Sequence, residues 1–171
     1  MKLKKTNLFL MVGTFLLAAV VAGALLAAGG RQAAVEVAAS TDMTVYMTPT
    51  CGCCTAWVEH MEANGFAVTT KKQNDLTEVK LGSGITRETA SCHTAFIDGY
   101  VVEGHVPAAE VKRLLAERPD VTGLTVPGMP MGSPGMEGAY DDVYDVLTFD
   151  RSGNTAVFAR YDGHTLLSAG R

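Results

Sequence analysis

A chain of 171 residues suits one domain of ordinary size and leaves no room for two large ones. Its composition is that of a globular protein, with 47% hydrophobic and 19% charged residues and a formal net charge of −4 at pH 7. Residues 41–171 keep ten of the 14 basic and 17 of the 18 acidic residues, a net charge of −7, and such an acidic domain without a basic stripe argues against nucleic acid as a partner.

The first thirty residues predict export from the cytoplasm. Three lysines within residues 1–5 precede an apolar stretch, residues 8–28, that carries no charge. At about 1.5 Å per residue this stretch is long enough to cross a hydrocarbon layer of about 30 Å, so residues 1–30 are either a cleaved signal peptide or an N-terminal membrane anchor. Because the lysines precede the apolar stretch, we expect the rest of the chain to be periplasmic or otherwise extracytoplasmic, with membrane contact only through this segment.

The order of the predicted elements indicates the fold class. After a linker at 31–42, a domain at 43–149 alternates strands and helices. Strands are predicted at 43–48, 66–70, 94–97 and 100–103, and helices at 51–64, 75–81 and 107–117. This order predicts a thioredoxin-like α/β fold with a four-stranded mixed sheet and flanking helices. Residues 118–142 read as a loop, and 143–149 with 155–161 as a hairpin, so residues 150–171 are predicted to form a C-terminal hairpin extension.

Three of the four cysteines, Cys51, Cys53 and Cys54, fall within four residues between the first strand and the first helix. Structural disulfides are the usual use of cysteine in an oxidising compartment, but loops this short add little stabilisation. A Cys-x-x-Cys pair at a helix N-terminus is typical of reactive thiols, because free N–H groups and the helix dipole stabilise a thiolate. Cys51 and Cys54 are therefore the candidate redox pair.

The fourth cysteine, Cys92, lies just before the third predicted strand. The stretch from Ser91 to Gly99 is similar to the glutaredoxin-like pattern Thr-Val-Pro-Gln-x-Phe-Ile-Asp-Gly, in which a cis-proline packs against the redox cysteines. Cys92 and His93 stand where that pattern has Val-Pro. The exchange weakens an ordinary oxidoreductase hypothesis and adds two metal-binding groups. His105, in a loop that borders the active site in such folds, is either a further ligand or an ordinary buried histidine.

The spacing of the cysteines also bears on the metal. Adjacent cysteines project in different directions, so a Cys-x-Cys-Cys triplet favours bridging thiolates and more than one ion. Copper(I) accepts bridged thiolates of low coordination number, whereas zinc prefers four separately presented ligands. The prediction is therefore a small copper(I) cluster with Cys51, Cys53, Cys54 and Cys92 as ligands.

A loop rich in proline and glycine carries three methionines, Met129, Met131 and Met136. Thioethers bind copper(I) and bind zinc poorly. These residues are therefore either copper ligands or an apolar lid over the core. Met43, Met47 and Met61 are instead predicted core residues, because they fall on strand and helix positions that face the interior.

These motifs resemble those of the CopG-type periplasmic copper-resistance proteins, a metal-binding family with a Cys-x-Cys-Cys motif. The resemblance covers roughly residues 43–149. It is carried by Cys51-Gly-Cys-Cys54, Ala90-Ser-Cys-His93 and Val126-Pro-Gly-Met-Pro-Met-Gly-Ser-Pro-Gly-Met136. It implies a thioredoxin-like fold, copper handling in the periplasm and redox interconversion of copper. Carried over by position, it implies a copper site of the four cysteines with His93, His105 and the three loop methionines nearby.

Three hypotheses of function follow. The first is an extracytoplasmic copper(I)-binding protein of copper resistance or homeostasis, with copper redox activity as an open question and other periplasmic copper-handling proteins as candidate partners. The alternative is a metal-free thioredoxin- or glutaredoxin-like thiol–disulfide oxidoreductase that uses Cys51 and Cys54. A module that delivers copper to a partner is a third hypothesis, which the sequence separates poorly from the first.

Overall fold

The computed structural model describes residues 41–170 of the chain. The predicted signal peptide or anchor, and all but the end of the predicted linker, lie outside this range. Within it the chain forms eight strands and three helices, so the predicted α/β class is confirmed. None of the helices in this range is long and apolar enough to span a membrane.

The elements alternate in the N-terminal half and are all strands in the C-terminal part. The strands are β1 Asp42–Met47, β2 Ala67–Lys72, β3 Thr94–Ile97, β4 Tyr100–Glu103, β5 Gly123–Thr125, β6 Val143–Phe149, β7 Thr155–Asp162 and β8 Thr165–Ala169. The helices are α1 Gly52–Ala63, α2 Thr77–Gly82 and α3 Ala108–Glu117. The alternation up to α3 matches the predicted order.

All eight described strands form one sheet in the order β2-β1-β3-β4-β5-β6-β7-β8. β1 pairs with β2, and β4 with β5, in parallel, and the other neighbours are antiparallel. The predicted four-stranded sheet is therefore wrong, because β4 is not an edge strand. β5 extends the sheet at Gly123, where a Cβ would overlap the carbonyl oxygen of Val101, so only glycine allows this close approach.

The predicted hairpin is present as β6 and β7, and it continues into β8, which the sequence pattern did not indicate. Its inner residues Phe158, Ala159 and Tyr161 belong to the same core as the residues of α1. Arg113 on α3 binds β7 and Gly170, because its guanidinium carbon lies 3.4 Å from the ring centroid of Phe158 and its N–H groups donate to the carbonyl oxygens of Phe158 and Gly170. The hairpin is thus part of the main core.

The core lies between the sheet and one face of α1 and α3. The predicted core methionines Met43, Met47 and Met61 are at most 2% exposed. Trp57 of α1 is fully buried, and its indole N–H donates to the carbonyl oxygen of Val106, 2.9 Å away. This bond ties the helix that begins beside the cysteine triplet to the loop between β4 and α3.

Candidate metal centre

The cysteine triplet occupies the N-terminus of α1. Cys51 is the N-cap residue, with extended backbone angles, and its Sγ accepts a hydrogen bond from the backbone N–H of Cys54 at 3.3 Å. A sulfur therefore replaces the oxygen that usually caps a helix, and it lies where unpaired N–H groups stabilise a negative charge. Cys51 and Cys53 are half-buried, whereas Cys54 is fully buried against the core.

The structure contains a disulfide between Cys51 and Cys54, and Cys53 and Cys92 are free thiols. The Sγ of Cys53 lies 3.4 Å from that of Cys51, and the Sγ of Cys92 lies 3.4 Å from that of Cys54. All four sulfurs lie within 4.8 Å of one another. The prediction that the four cysteines form one cluster is confirmed, and reduction of the disulfide converts it into four thiols.

Cys92 also belongs to a second group of potential ligands, with His93 and His105. Its Sγ lies 3.2 Å from Nδ1 of His93 and 3.0 Å from Nε2 of His105. The three atoms lie within 4.8 Å of one another. Cys92 is therefore shared between a group of four sulfurs and a group of one sulfur and two imidazoles.

The surroundings of the two imidazoles orient them towards Cys92. Nδ1 of His105 lies 2.9 Å from the carbonyl oxygen of Pro134, to which only a protonated nitrogen can donate. Neutral His105 therefore presents an unprotonated Nε2 to Cys92, as metal-ligating histidines commonly do. His93 is held between the rings of Trp57 and His105, at centroid distances of 4.4 and 5.0 Å, and its buried Nε2 has no hydrogen-bond partner in the described structure.

Burial keeps this second group electrically neutral. Burial, with a smaller contribution from nearby Cys53, raises the pKa of the Cys92 thiol to about 12. Burial also lowers the pKa of His93 and of His105. At neutral pH the site therefore holds a protonated thiol and two uncharged imidazoles. A metal that binds here must displace the thiol proton, whereas the imidazole lone pairs need no deprotonation.

The donor set fits a soft metal ion. Thiolates and imidazoles are the ligands that copper(I) and zinc share, and the absence of a carboxylate from either group disfavours hard cations such as Mg²⁺ and Ca²⁺. A single tetrahedral ion with metal–sulfur bonds of about 2.3 Å needs sulfurs about 3.8 Å apart. Apart from the bonded pair, two sulfur–sulfur distances are 3.4 Å and none exceeds 4.8 Å, which suits either one ion or several bridged ions once the disulfide is reduced.

The loop that carries Met129, Met131 and Met136, called here the methionine loop, packs through its backbone against α1 and against the segment that carries Cys92. The Ser91 hydroxyl donates to the carbonyl oxygen of Gly128, and Gly135 lies so close to α1 that a Cβ would be 2.7 Å from the carbonyl oxygen of Cys53. Among the methionines, Met129 is 53% exposed. Met131 and Met136 are half-buried. The loop therefore borders the cluster, and thioether ligation stays a prediction.

Two other histidines lie outside both groups. Nε2 of His60 accepts the backbone N–H of Ala108 at 3.1 Å and so caps the N-terminus of α3. Burial lowers the pKa of His60, which keeps that nitrogen able to accept. His164 is exposed, with Nε2 3.8 Å from Oε1 of Glu137. Neither belongs to a described group of metal-ligating atoms.

Sequence reasoning missed two contributors to the site. The carbonyl oxygen of Pro134 selects the tautomer of His105, and Glu103 is a fully buried carboxylate beside the loop of Cys92. No sequence signal reveals the role of a backbone carbonyl. A glutamate at the end of an otherwise apolar strand, opposite Thr94, is the signal that could have revealed Glu103.

Fold and site together define an α/β protein with a cysteine-rich candidate metal centre. Residues 89–136 match the family described as "Protein of unknown function, DUF411". Two solved structures, forms 2 and 1 of "Copper resistance protein copG", are each 49% identical to the chain, with TM-scores of 0.66 and 0.67. The matches cover 70% and 71% of this chain and 97% and 98% of those chains. No curated protein matches the sequence. The chain belongs to the family of the copper resistance protein CopG.

Proposed function

We propose that the protein binds copper(I) outside the cytoplasm and serves copper resistance or homeostasis. The observation that carries this proposal is the position of Cys92, whose Sγ faces both the cysteine triplet and two buried imidazoles. The names of the related structures support copper as the metal. In this proposal copper is the ion that the protein takes up and handles, and not a resident cofactor.

The proposed site holds more than one copper ion. Cys92 belongs to two groups of potential ligand atoms, and a thiolate in that position is suited to bridge two ions. Cys53 and Cys54 are adjacent on α1, and both sulfurs belong to the group of four. Copper(I) favours such bridged thiolates, and the proposal includes thioether contacts from Met129, Met131 and Met136 at the rim of the cluster.

Copper redox chemistry at Cys51 and Cys54 is a further part of the proposal. Oxidation of the two thiols to the disulfide releases two electrons and two protons. Two copper(II) ions can accept these electrons and become two copper(I) ions, so the exchange balances without another reactant. The disulfide in the structure corresponds to the oxidised protein side of this exchange.

Anaerobic titration of the reduced full chain with copper(I), against a competing chelator, tests the proposal, with Cys92→Ser titrated in parallel. We expect uptake of several ions and a loss of affinity of about 10–100-fold in Cys92→Ser, because a bridging ligand serves more than one ion. A stoichiometry fixed at one ion would contradict the multi-copper site. Absence of tight binding would contradict copper binding itself.

A metal-free thiol–disulfide oxidoreductase is the second candidate, and the Cys51–Cys54 disulfide at the start of α1 favours it. In that case Cys51, half-exposed and placed at the N-cap, is the nucleophile, and its thiolate attacks a substrate disulfide while Cys54 resolves the mixed disulfide. Reduction of a protein disulfide by the copper-free chain, abolished in Cys51→Ser and unaffected by a copper chelator, would favour this candidate.

Location and domain organisation are also proposals. We infer that residues 1–30 direct the chain out of the cytoplasm, that 31–42 link this segment to the domain, and that β1–β4 with α1 and α3 constitute a thioredoxin-like core. In this proposal Cys51 and Cys53, both half-buried residues, form the point of copper exchange with other periplasmic copper-handling proteins. Fractionation of cells expressing the full chain, and the same chain without residues 1–30, tests the location.

A further inference from the structure

Glu103, at the end of β4, is a carboxylate with no exposed surface. Its Oε1 accepts the backbone N–H of Ser91 at 2.7 Å and contacts the ammonium group of Lys80, and its Oε2 accepts the hydroxyl of Thr94 at 2.6 Å. Lys80 comes from α2 and also donates to the Thr94 hydroxyl at 3.1 Å. A buried carboxylate is costly unless it is paired and hydrogen-bonded, and Glu103 is both.

Two groups outside α2 donate hydrogen bonds to Glu103, and they lie on either side of Cys92 and His93. Ser91 precedes this pair and Thr94 follows it, so one carboxylate holds both ends of the segment. The next residue, Gly104, donates its N–H to the carbonyl oxygen of His93 at 3.0 Å. The segment is therefore held at both ends and at its middle by two consecutive residues of the chain.

The same two residues lead directly to His105. Gly104 has φ +72°, and a Cβ there would overlap the hydroxyl of Ser91, so the chain passes this point only as glycine. Glu103 thus fixes the segment of Cys92 and His93 against the strand end that delivers His105. The three ligand atoms of the second group come from these two segments.

We propose that Glu103, paired with Lys80, is a positioning residue that holds Cys92 and His93 in metal-binding geometry. Two experiments test this inference. The first depends on the geometry of the metal-free protein alone, and the second also rests on the proposed copper function. Glu103 belongs to neither described ligand group, so it acts through the loop rather than on the metal.

The first readout uses metal-free full chain with the disulfide intact. In a Cys53→Ser background Cys92 is the remaining free thiol, because the chain has four cysteines and two are bonded. We expect Glu103→Gln to raise the rate at which iodoacetamide alkylates Cys92 severalfold, because the amide cannot accept all the donors that the carboxylate accepts. The matched control is Glu110→Gln, another carboxylate, 3% exposed, that binds Arg113 and Tyr161 away from the loop.

The second readout is copper(I) affinity of the reduced chain. Loss of a residue that orients ligands typically lowers metal affinity by about 10–100-fold, and we expect this loss in Glu103→Gln and not in Glu110→Gln. If Glu103→Gln does not fold, the double variant Glu103→Gln with Lys80→Met removes both charges, and the same two readouts apply to it.

Equal alkylation rates in the Glu103 and Glu110 variants would overturn the positioning role. If Glu103→Gln speeds alkylation of Cys92 but the wild-type chain binds no copper, the positioning role stands and the copper function is refuted. Faster alkylation confined to the Glu103 variants, with weaker copper binding, supports both.

Discussion

The Sγ of Cys92 lies 3.0 Å from Nε2 of His105, and Nδ1 of the same ring donates to the carbonyl oxygen of Pro134. These contacts join three segments of the chain, since His105 is 13 residues from Cys92 and 29 residues from Pro134. The backbone of the methionine loop therefore determines which nitrogen of His105 is free to bind a metal. This contribution does not depend on whether the methionine thioethers bind copper.

Replacing His105 tests this relationship. We expect His105→Gln to lower the copper(I) affinity of the reduced chain by about 10–100-fold, because the ligand nitrogen next to Cys92 is lost. Competition titration measures the change. His164→Gln is the control, since His164 is 60% exposed and lies outside both ligand groups. Equal affinities for the two variants would remove His105 from the site.

Copper binding should depend on pH through Cys92. Burial raises the pKa of this thiol to about 12, so the proton is present throughout the neutral range and copper must displace it. Each displaced proton makes the affinity rise by about tenfold per pH unit. We expect the slope of log affinity against pH, between about pH 6 and 9, to be smaller by about one in Cys92→Ser than in the wild type. An unchanged slope would show that Cys92 binds no copper.

The metal-free protein should lose stability on acidification. Burial lowers the pKa values of His60, His93 and His105, so the unfolded chain binds more protons than the folded one as the pH falls through about 6.5. Each unit of pKa depression contributes about 1.4 kcal/mol that is present at neutral pH and lost below it. Urea unfolding at pH 7.5 and 5.5 measures the loss. His60→Gln, which can still accept the N–H of Ala108, should reduce it.

The methionine loop is either a source of ligands or an apolar lid, and leucine distinguishes the two. The triple variant Met129→Leu, Met131→Leu and Met136→Leu keeps the apolar volume and removes the thioether sulfurs. If the thioethers bind copper(I), we expect weaker uptake at unchanged thermal stability. Unchanged uptake would assign these residues to the lid.

Gly135 should be required for the contact between the loop and α1. At φ +83°, a Cβ would be 2.7 Å from both the carbonyl oxygen of Cys53 and the backbone nitrogen of Trp57. We expect Gly135→Ala to destabilise the protein by about 2–4 kcal/mol, from left-handed backbone strain and overpacking together. Gly128→Ala is the matched control, because Gly128 has φ +70° and open space around its Cβ position. Similar losses in both variants would contradict the close contact.

Local patterns predicted much of the fold correctly. The bounds of β3, β4 and β6 agree with the predicted strands, because β-branched and aromatic residues, and the Asp98-Gly99 turn between β3 and β4, are signals encoded within a few residues. β5 was missed because three residues carry no periodicity, and its pairing depends on a glycine that fits against Val101. β8 was missed because all its residues are exposed and show no inward face.

The sequence by itself determined the chemistry of the protein: a thiol pair at a helix N-terminus, a third cysteine beside it, and a Cys-His pair before β3. These follow from residue type and spacing, which local structure preserves. Only the tertiary structure decided that Cys51 and Cys54 are bonded, that Cys92 is shared with His93 and His105, and that Glu103 and Pro134 orient this group. Such contacts depend on how separate segments of the chain pack against one another. Residue types and local spacing do not specify this packing, so it could not be predicted from the sequence pattern.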